Sequence, residues 1–170
     1  MRKLNILKTV LNLFWFFTLI SIAGMLIFIP FYLFSSDIDI PIKIKGQEIL
    51  ADTILAKIVV FVNIISGLLF FYSIYLLRKL VGLFQKTKIF NDEVIRLFNL
   101  IGKLVIASSV ISTISLFIYN AVERNHLGLS LDFGSYDSFL ISISLGLFFM
   151  VISEIFKIAK NMKEDSDLMI

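Results

Sequence analysis

The sequence predicts an all-α membrane protein: four transmembrane helices, short strand-like segments in the two outer loops and helical extensions into the cytoplasm. Three observations predict it. The 170 residues are 58% hydrophobic and 17% charged, with a mean hydropathy of +0.93, more apolar surface than one soluble core of this length can cover. Four stretches are long enough to cross a hydrocarbon core, which takes roughly 20 apolar residues as a helix. Lys and Arg also collect on one side of these stretches, as they do at a cytoplasmic membrane face. Residues 1–170 read as a single four-helix membrane domain.

The first span runs from about Val10 to Phe34. Arg2, Lys3 and Lys8 precede it as they would a secretory signal. The apolar run is too long for one, however, and Phe34, Ser35 and Ser36 offer no small-x-small cleavage site, so it reads as a retained span. The second, third and fourth spans run from about Ile54 to Leu77, Leu100 to Val122 and Phe139 to Ala159. Twelve of the sixteen basic residues fall on one side: Arg2, Lys3 and Lys8, then Arg78, Lys79, Lys86, Lys88, Arg96 and Lys103, then Lys157, Lys160 and Lys163. Lys43, Lys45, Lys57 and Arg124 fall on the other. The expected location is therefore the cell (inner) membrane, multi-pass, with both termini cytoplasmic.

Between the spans, the two outer loops carry period-2 patterns. DIDIPIKIK alternates Ile38, Ile40, Ile42 and Ile44 with Asp37, Asp39, Lys43 and Lys45, the signature of a half-buried strand. LGLSLDF repeats it with Leu127, Leu129, Leu131 and Phe133. The two strands either pair across the loops, with Pro41 confining the first to an edge, or dip separately into the headgroup region. The inner loop keeps helical spacing instead. Leu80, Leu83 and Phe84 oppose Arg78, Lys79, Gln85 and Lys86, so the second helix should run past the bilayer. Lys-Thr-Lys makes the turn, Asn91 or Asp92 caps a new helix, and Val94, Leu97, Phe98 and Ile101 give that helix an apolar stripe. The result is a cytoplasmic hairpin over residues 78–99, followed at the far end of the chain by a tail over residues 160–170.

Ionisable residues inside a membrane are costly and usually functional, and the spans hold few. Lys57, Lys103 and Glu154 each sit near an end, where lysine can snorkel. Ser138, Ser142 and Gly146, Ser108 and Ser112, and Ser109 and Thr113 recur every four residues, a spacing that lets helices approach closely. It reads as packing of the third helix on the fourth, with Asn63 as interhelical glue. The chain has no cysteine, hence no disulfide framework or thiolate metal site. There is also no membrane-embedded carboxylate in the first span, no HExxH helix and no glycine-rich phosphate loop. His126 with Glu123, Asp132 and Asp137 is too sparse for a metal centre. The expectation is a protein that is not an enzyme, with no catalytic residue, metal or cofactor.

Two segments, IFNDEVIRLFNLIG and EIFKIAKNMKEDSDLMI, resemble hallmark segments of a bacterial membrane family catalogued as domain of unknown function 2975. Phe90, Ile101 and Gly102 match the first hallmark, and Glu154, Phe156, Glu164, Asp167, Leu168 and Ile170 match the second. Val94 stands where the family usually has a polar residue, and Met169 where it has Thr. The resemblance implies four membrane helices and a regulatory or sensory membrane protein, since the family's genes often neighbour one for a small helix-turn-helix regulator. It also makes Phe90, Gly102, Glu154, Phe156, Glu164, Asp167, Leu168 and Ile170 the residues expected to dock a partner.

The tail fits that role. Ile155, Ile158, Ala159 and Met162 continue an apolar helical stripe, Glu164, Asp165 and Asp167 project beyond it, and Leu168, Met169 and Ile170 supply an anchor. The anchor can dock on the hairpin or in a partner's groove, or the tail can end as a solvated helix. The expected partners are the lipid bilayer, a small helix-turn-helix regulator at the cytoplasmic face and a second copy of the chain, with no direct nucleic-acid contact. The alternative function is a small transporter or permease subunit using the serine-rich third and fourth helices.

Overall fold

The computed structural model describes residues 2–34, 42–49, 53–86, 91–123 and 139–167. In order, the elements are α1 (Arg2–Phe34), β1 (Ile42–Ile44), β2 (Gln47–Ile49), α2 (Ile54–Gln85), α3 (Asp92–Glu123) and α4 (Phe139–Asp167). All four helices contain a stretch long and apolar enough to cross a membrane. Outward-facing side chains agree with a lipid solvent: Phe16, Phe17, Ile20 and Ile27 on α1, Ile58 and Phe61 on α2, Ile114 and Ile118 on α3 and Phe148 and Val151 on α4 are all exposed. A water-soluble bundle would bury such residues along one stripe. This is a multi-pass membrane protein.

Successive helices pack antiparallel, α1 on α2, α2 on α3 and α3 on α4. Lys8 Nζ donates to Gln85 Oε1 at 2.6 Å, and Lys160 Nζ donates to Asp92 Oδ1 at 2.8 Å. These contacts gather the start of α1, the end of α2, the start of α3 and the end of α4 at one end of the molecule, called here the charged end. The β1–β2 hairpin marks the opposite, hairpin end. At 1.5 Å per residue, the 32 residues of α2 and of α3 each extend for about 48 Å against a hydrocarbon core of about 30 Å. The surplus is the helical extension expected from the sequence. Asn91 caps α3, its Oδ1 accepting from Glu93 N at 3.4 Å, and Thr53 caps α2, its Oγ1 accepting from Ala56 N at 3.2 Å.

The first outer loop holds a local hairpin, while the cross-loop pairing considered above falls on residues outside those described. The described strand β1 pairs with the segment immediately following it, Ile42 opposite Ile49 and Ile44 opposite Gln47. Lys45 and Gly46 make the two-residue turn with φ of 47° and 78°, the positive values that right-twisted strands require of such a link. Ile49 is fully buried against Ala56, Val59, Val60, Leu116 and Tyr119, and Asn120 Nδ2 donates to Gln47 Oε1 at 3.0 Å. The hairpin is thereby packed onto α2 and α3. Residues 37–41, with Pro41, and the second loop's LGLSLDF lie outside the described residues.

The serines face a different neighbour from the one their spacing suggested. Ser66 Oγ donates to the Ser108 carbonyl at 2.6 Å, Ser112 Oγ to Asn63 Oδ1 at 2.7 Å, and Asn63 Nδ2 to Ser115 Oγ at 2.8 Å. This polar seam joins α3 to α2, with Asn63 as the expected glue. The close approach of α3 and α4 rests on glycine: a Cβ at Gly102 would lie 2.5 Å from the Gly146 carbonyl oxygen, and one at Gly146 would lie 2.8 Å from that of Gly102. Ser142 is in the first turns of α4, and Ser138 lies outside the described residues.

Candidate functional site

The charged end is held together by apolar packing beneath a polar rim. Leu76 and Leu80 of α2 and Val94, Leu97, Phe98, Ile101 and Val105 of α3 form one buried cluster, so the stripes expected on both arms of the hairpin face each other. Phe156 of α4 closes it, with ring centroids 5.9 Å from Phe84 and 5.4 Å from Phe98, spacings at which aromatic pairs attract beyond their area burial. Ser153 Oγ donates to the Ile95 carbonyl at 2.7 Å, fastening α4 to the first turns of α3.

Around this core the charges are paired between helices. Lys79 Nζ lies 2.7 Å from Glu93 Oε1. Lys160 Nζ bridges Asp92 at 2.8 Å and Glu164 at 3.4 Å. Hydrogen bonding to Glu93, aided by its charge, holds the Lys79 ammonium above the ordinary lysine range. The bond to Asp92 does the same for Lys160. Such exposed pairs fix register more than they stabilise. They join three helices into one platform.

The residues expected to dock a partner separate on this frame. Phe156 packs inside the platform as the third member of its aromatic cluster. Gly102 is buried against Gly146 and Met150 and offers no surface. Glu154 and Glu164 are exposed on α4, Glu164 tied to Lys160. Asp167 closes α4. Phe90, Leu168 and Ile170 lie outside the described residues, as do His126, Asp132 and Asp137. What the sequence reading did not single out as a site is the outward face of α4: Ile155, Ile158 and Met162 are 57%, 60% and 67% exposed. The first two sit between the Ser153–Ile95 and Lys160–Asp92 contacts. An apolar stripe thus runs at the same level as the ion pairs.

The described residues of the hallmark segments IFNDEVIRLFNLIG and EIFKIAKNMKEDSDLMI therefore build one structure, the α3 arm and the α4 arm of this platform. The family described as a protein of unknown function (DUF2975) matches residues 5–170. The chain belongs to the DUF2975 family. No curated protein and no solved structure matches it. In this DUF2975 member the two hallmarks meet through Phe98 and Phe156, through Asp92 and Lys160, and through Ile95 and Ser153.

Proposed function

We propose that the chain is a regulatory membrane protein of the cell membrane, with its charged end in the cytoplasm, where it docks a small helix-turn-helix regulator. The observation that carries this reading is the exposed α4 stripe. It runs level with Ile95 and Asp92 of the α3 arm and past the lipid-facing Phe148 and Val151, so the reading takes α4 out of the bilayer near Glu154, ahead of Ala159. Ile155, Ile158 and Met162 follow the i, i+3, i+7 spacing by which one helix seats in the groove of another, beside paired charges and the exposed Lys157 and Lys163. Its complement is a partner helix with an apolar stripe and acidic flanks. The ion-paired platform presents that stripe on a rigid frame, so docking needs little ordering of the membrane protein. The reading extends to Leu168 and Ile170, which follow the stripe in the sequence.

Transport fits the arrangement less well. The buried Leu76, Leu80, Leu97, Phe98 and Ile101 cluster fills the α2–α3 interface on the charged side of the polar seam. The serines consequently line a site rather than a path.

The test is crosslinking from intact membranes followed by recovery of the full chain, of a form ending at Lys163, and of an Ile155→Ser, Ile158→Ser, Met162→Ser triple variant. Recovery of a small DNA-binding protein by the full chain, and its loss in the triple variant, is the expected result. Equal recovery by full chain and triple variant would refute the assignment of the stripe. Recovery of no soluble partner would refute the regulatory reading.

A further inference from the structure

The outward face of α3 changes character at Lys103. From Leu104 to Val122 the helix carries no charged side chain, and Glu123 closes it. Glu123 follows Lys103 by 20 residues, about 30 Å, which is the thickness of a hydrocarbon core. Lys103 therefore marks one boundary of the hydrocarbon. Aromatic side chains put the headgroup layer at the same level. The Lys79–Glu93 pair and the Ser66–Ser108 bond fix the register of α2 on α3, and between them Tyr72 and Tyr75 fall level with the turn from Phe98 to Ile101. Both tyrosines are exposed, and Trp15 of α1 packs on Tyr75 with ring centroids 5.1 Å apart. Trp and Tyr collect where headgroups meet hydrocarbon.

Arg96, Asn99 and Lys103 follow the i, i+3, i+7 spacing of one helix face. It is neither the face that buries Leu97, Ile101 and Val105 nor the one on which Gly102 meets Gly146. Arg96 and Lys103 are exposed and Asn99 is half-buried, and none of the three has a hydrogen-bond or ion-pair partner among the described residues. For Arg96 this runs against its sequence. Asp92 and Glu93 precede it at the spacing of helical ion pairs, yet Lys160 of α4 takes Asp92 and Lys79 of α2 takes Glu93. Glu154, exposed beside Ser153 and hence level with Ile95, pairs with neither cation. Side chains on a helix lean toward its N-terminus, here the charged end, which carries the Lys103 ammonium toward Asn99. Two cations about 10.5 Å apart at the backbone thus converge on the Asn99 amide from either side. Toward the hydrocarbon the same face continues as the half-buried Val110 and the exposed Ile114.

We propose that this face binds one anionic phospholipid. Its phosphate oxygens accept hydrogen bonds from the Arg96 guanidinium, the Asn99 amide and the Lys103 ammonium, and an acyl chain lies along Val110 and Ile114. The guanidinium fork fits phosphate oxygens in pairs, and the ammonium adds a point charge. Snorkelling satisfies a lone lysine, but it does not account for an Arg96 held apart from both nearby carboxylates. A head of net negative charge is preferred to phosphatidylcholine, whose own cation Arg96 and Lys103 repel. The depth of Lys103 and the apolar continuation of its face commit the site to a membrane lipid. The site uses α3 and the docking stripe uses α4, so either reading can fail alone.

The experiment titrates the full chain in detergent with phosphatidylglycerol or phosphatidylcholine and counts retained lipids by native mass spectrometry. One phosphatidylglycerol per chain should be held roughly tenfold more tightly than phosphatidylcholine, the weight of one charge-assisted hydrogen bond. An Arg96→Gln, Lys103→Gln variant should lose that preference, and it should fold, since both side chains are exposed and glutamine is a good helix former. A Lys3→Gln, Lys86→Gln variant removes the same charge from exposed positions elsewhere at the charged end and should keep the preference. Arg96→Lys with Lys103→Arg retains both charges and should keep it as well, which separates lipid binding from a structural role of the two side chains. Excess glycerol 3-phosphate, a head without chains, should not displace the lipid. Four results would each overturn the proposal: equal retention of the two lipids by the parent, equal loss in both glutamine variants, loss in the charge-keeping variant, or displacement by glycerol 3-phosphate.

Discussion

Replacing Gly102 by alanine should separate α3 from α4 while leaving each helix intact. The added Cβ would stand 2.5 Å from the Gly146 carbonyl oxygen, 2.7 Å from Met150 Cγ and 3.2 Å from Met150 N. Met150 Cγ can rotate away, but the two backbone atoms move only if α4 moves. Overpacking of this kind costs about 1–3 kcal/mol, and the rigid neighbours place Gly102 at the upper end. Alanine's helix propensity returns about 1 kcal/mol, which leaves a net loss of about 2 kcal/mol. At about 2–4 °C per kcal/mol for a chain of this size, the midpoint should fall by about 6 °C. The assay is thermal unfolding in detergent followed by circular dichroism, with Gly82→Ala on α2 as the reference. A Cβ at Gly82 meets nothing within 4 Å, so that variant should gain about 0.5–1 kcal/mol. A Gly102→Ala protein as stable as the parent, or a Gly82→Ala protein equally weakened, would refute the glycine contact.

Three further outcomes follow from named contacts. Asn63→Leu removes the bonds to Ser112 and Ser115 and should cost about 1 kcal/mol, the scale of interhelical hydrogen bonds in membranes, read by the same unfolding assay. Phe156→Ala empties the space against Phe84 and Phe98 and should cost about 2 kcal/mol, less than a fully buried Phe because Phe156 is half-buried; Phe156→Leu should recover most of it. Asp92→Asn breaks one exposed contact of Lys160, so its small effect on the midpoint should fade as salt is added; an effect that persists at high salt would contradict the exposed pairing.

The four helices were legible because lipid imposes the same rule on every span, a long apolar run with no charge near its middle, and each run has it. The platform was legible too. Leu80 and Phe84, like Val94, Leu97 and Phe98, repeat at helical spacing, and such stripes on consecutive helices meet when a short turn joins them. Two features escaped for physical reasons. Lys45-Gly46 is a two-residue turn signal, but Gln47-Glu48-Ile49 contributes one apolar residue and has no alternation of its own, so the hairpin's second strand was hidden. Small residues every four positions establish that a helix packs closely and leave its neighbour undefined: Ser108 and Ser112 turned to α2, whereas Gly102 and Gly146 took the α3–α4 contact.

The account rests on which side of the membrane each end occupies, and the absence of cysteine makes this directly measurable. Single cysteines introduced as Lys43→Cys in the hairpin and Lys163→Cys in α4 can be probed in intact cells with a maleimide that does not cross membranes. The account predicts labelling of Lys43→Cys in intact cells and of Lys163→Cys only after the membrane is opened. Labelling of both from the same side would contradict the four-span layout, and labelling in the reverse order would place the charged platform where no cytoplasmic regulator can reach it.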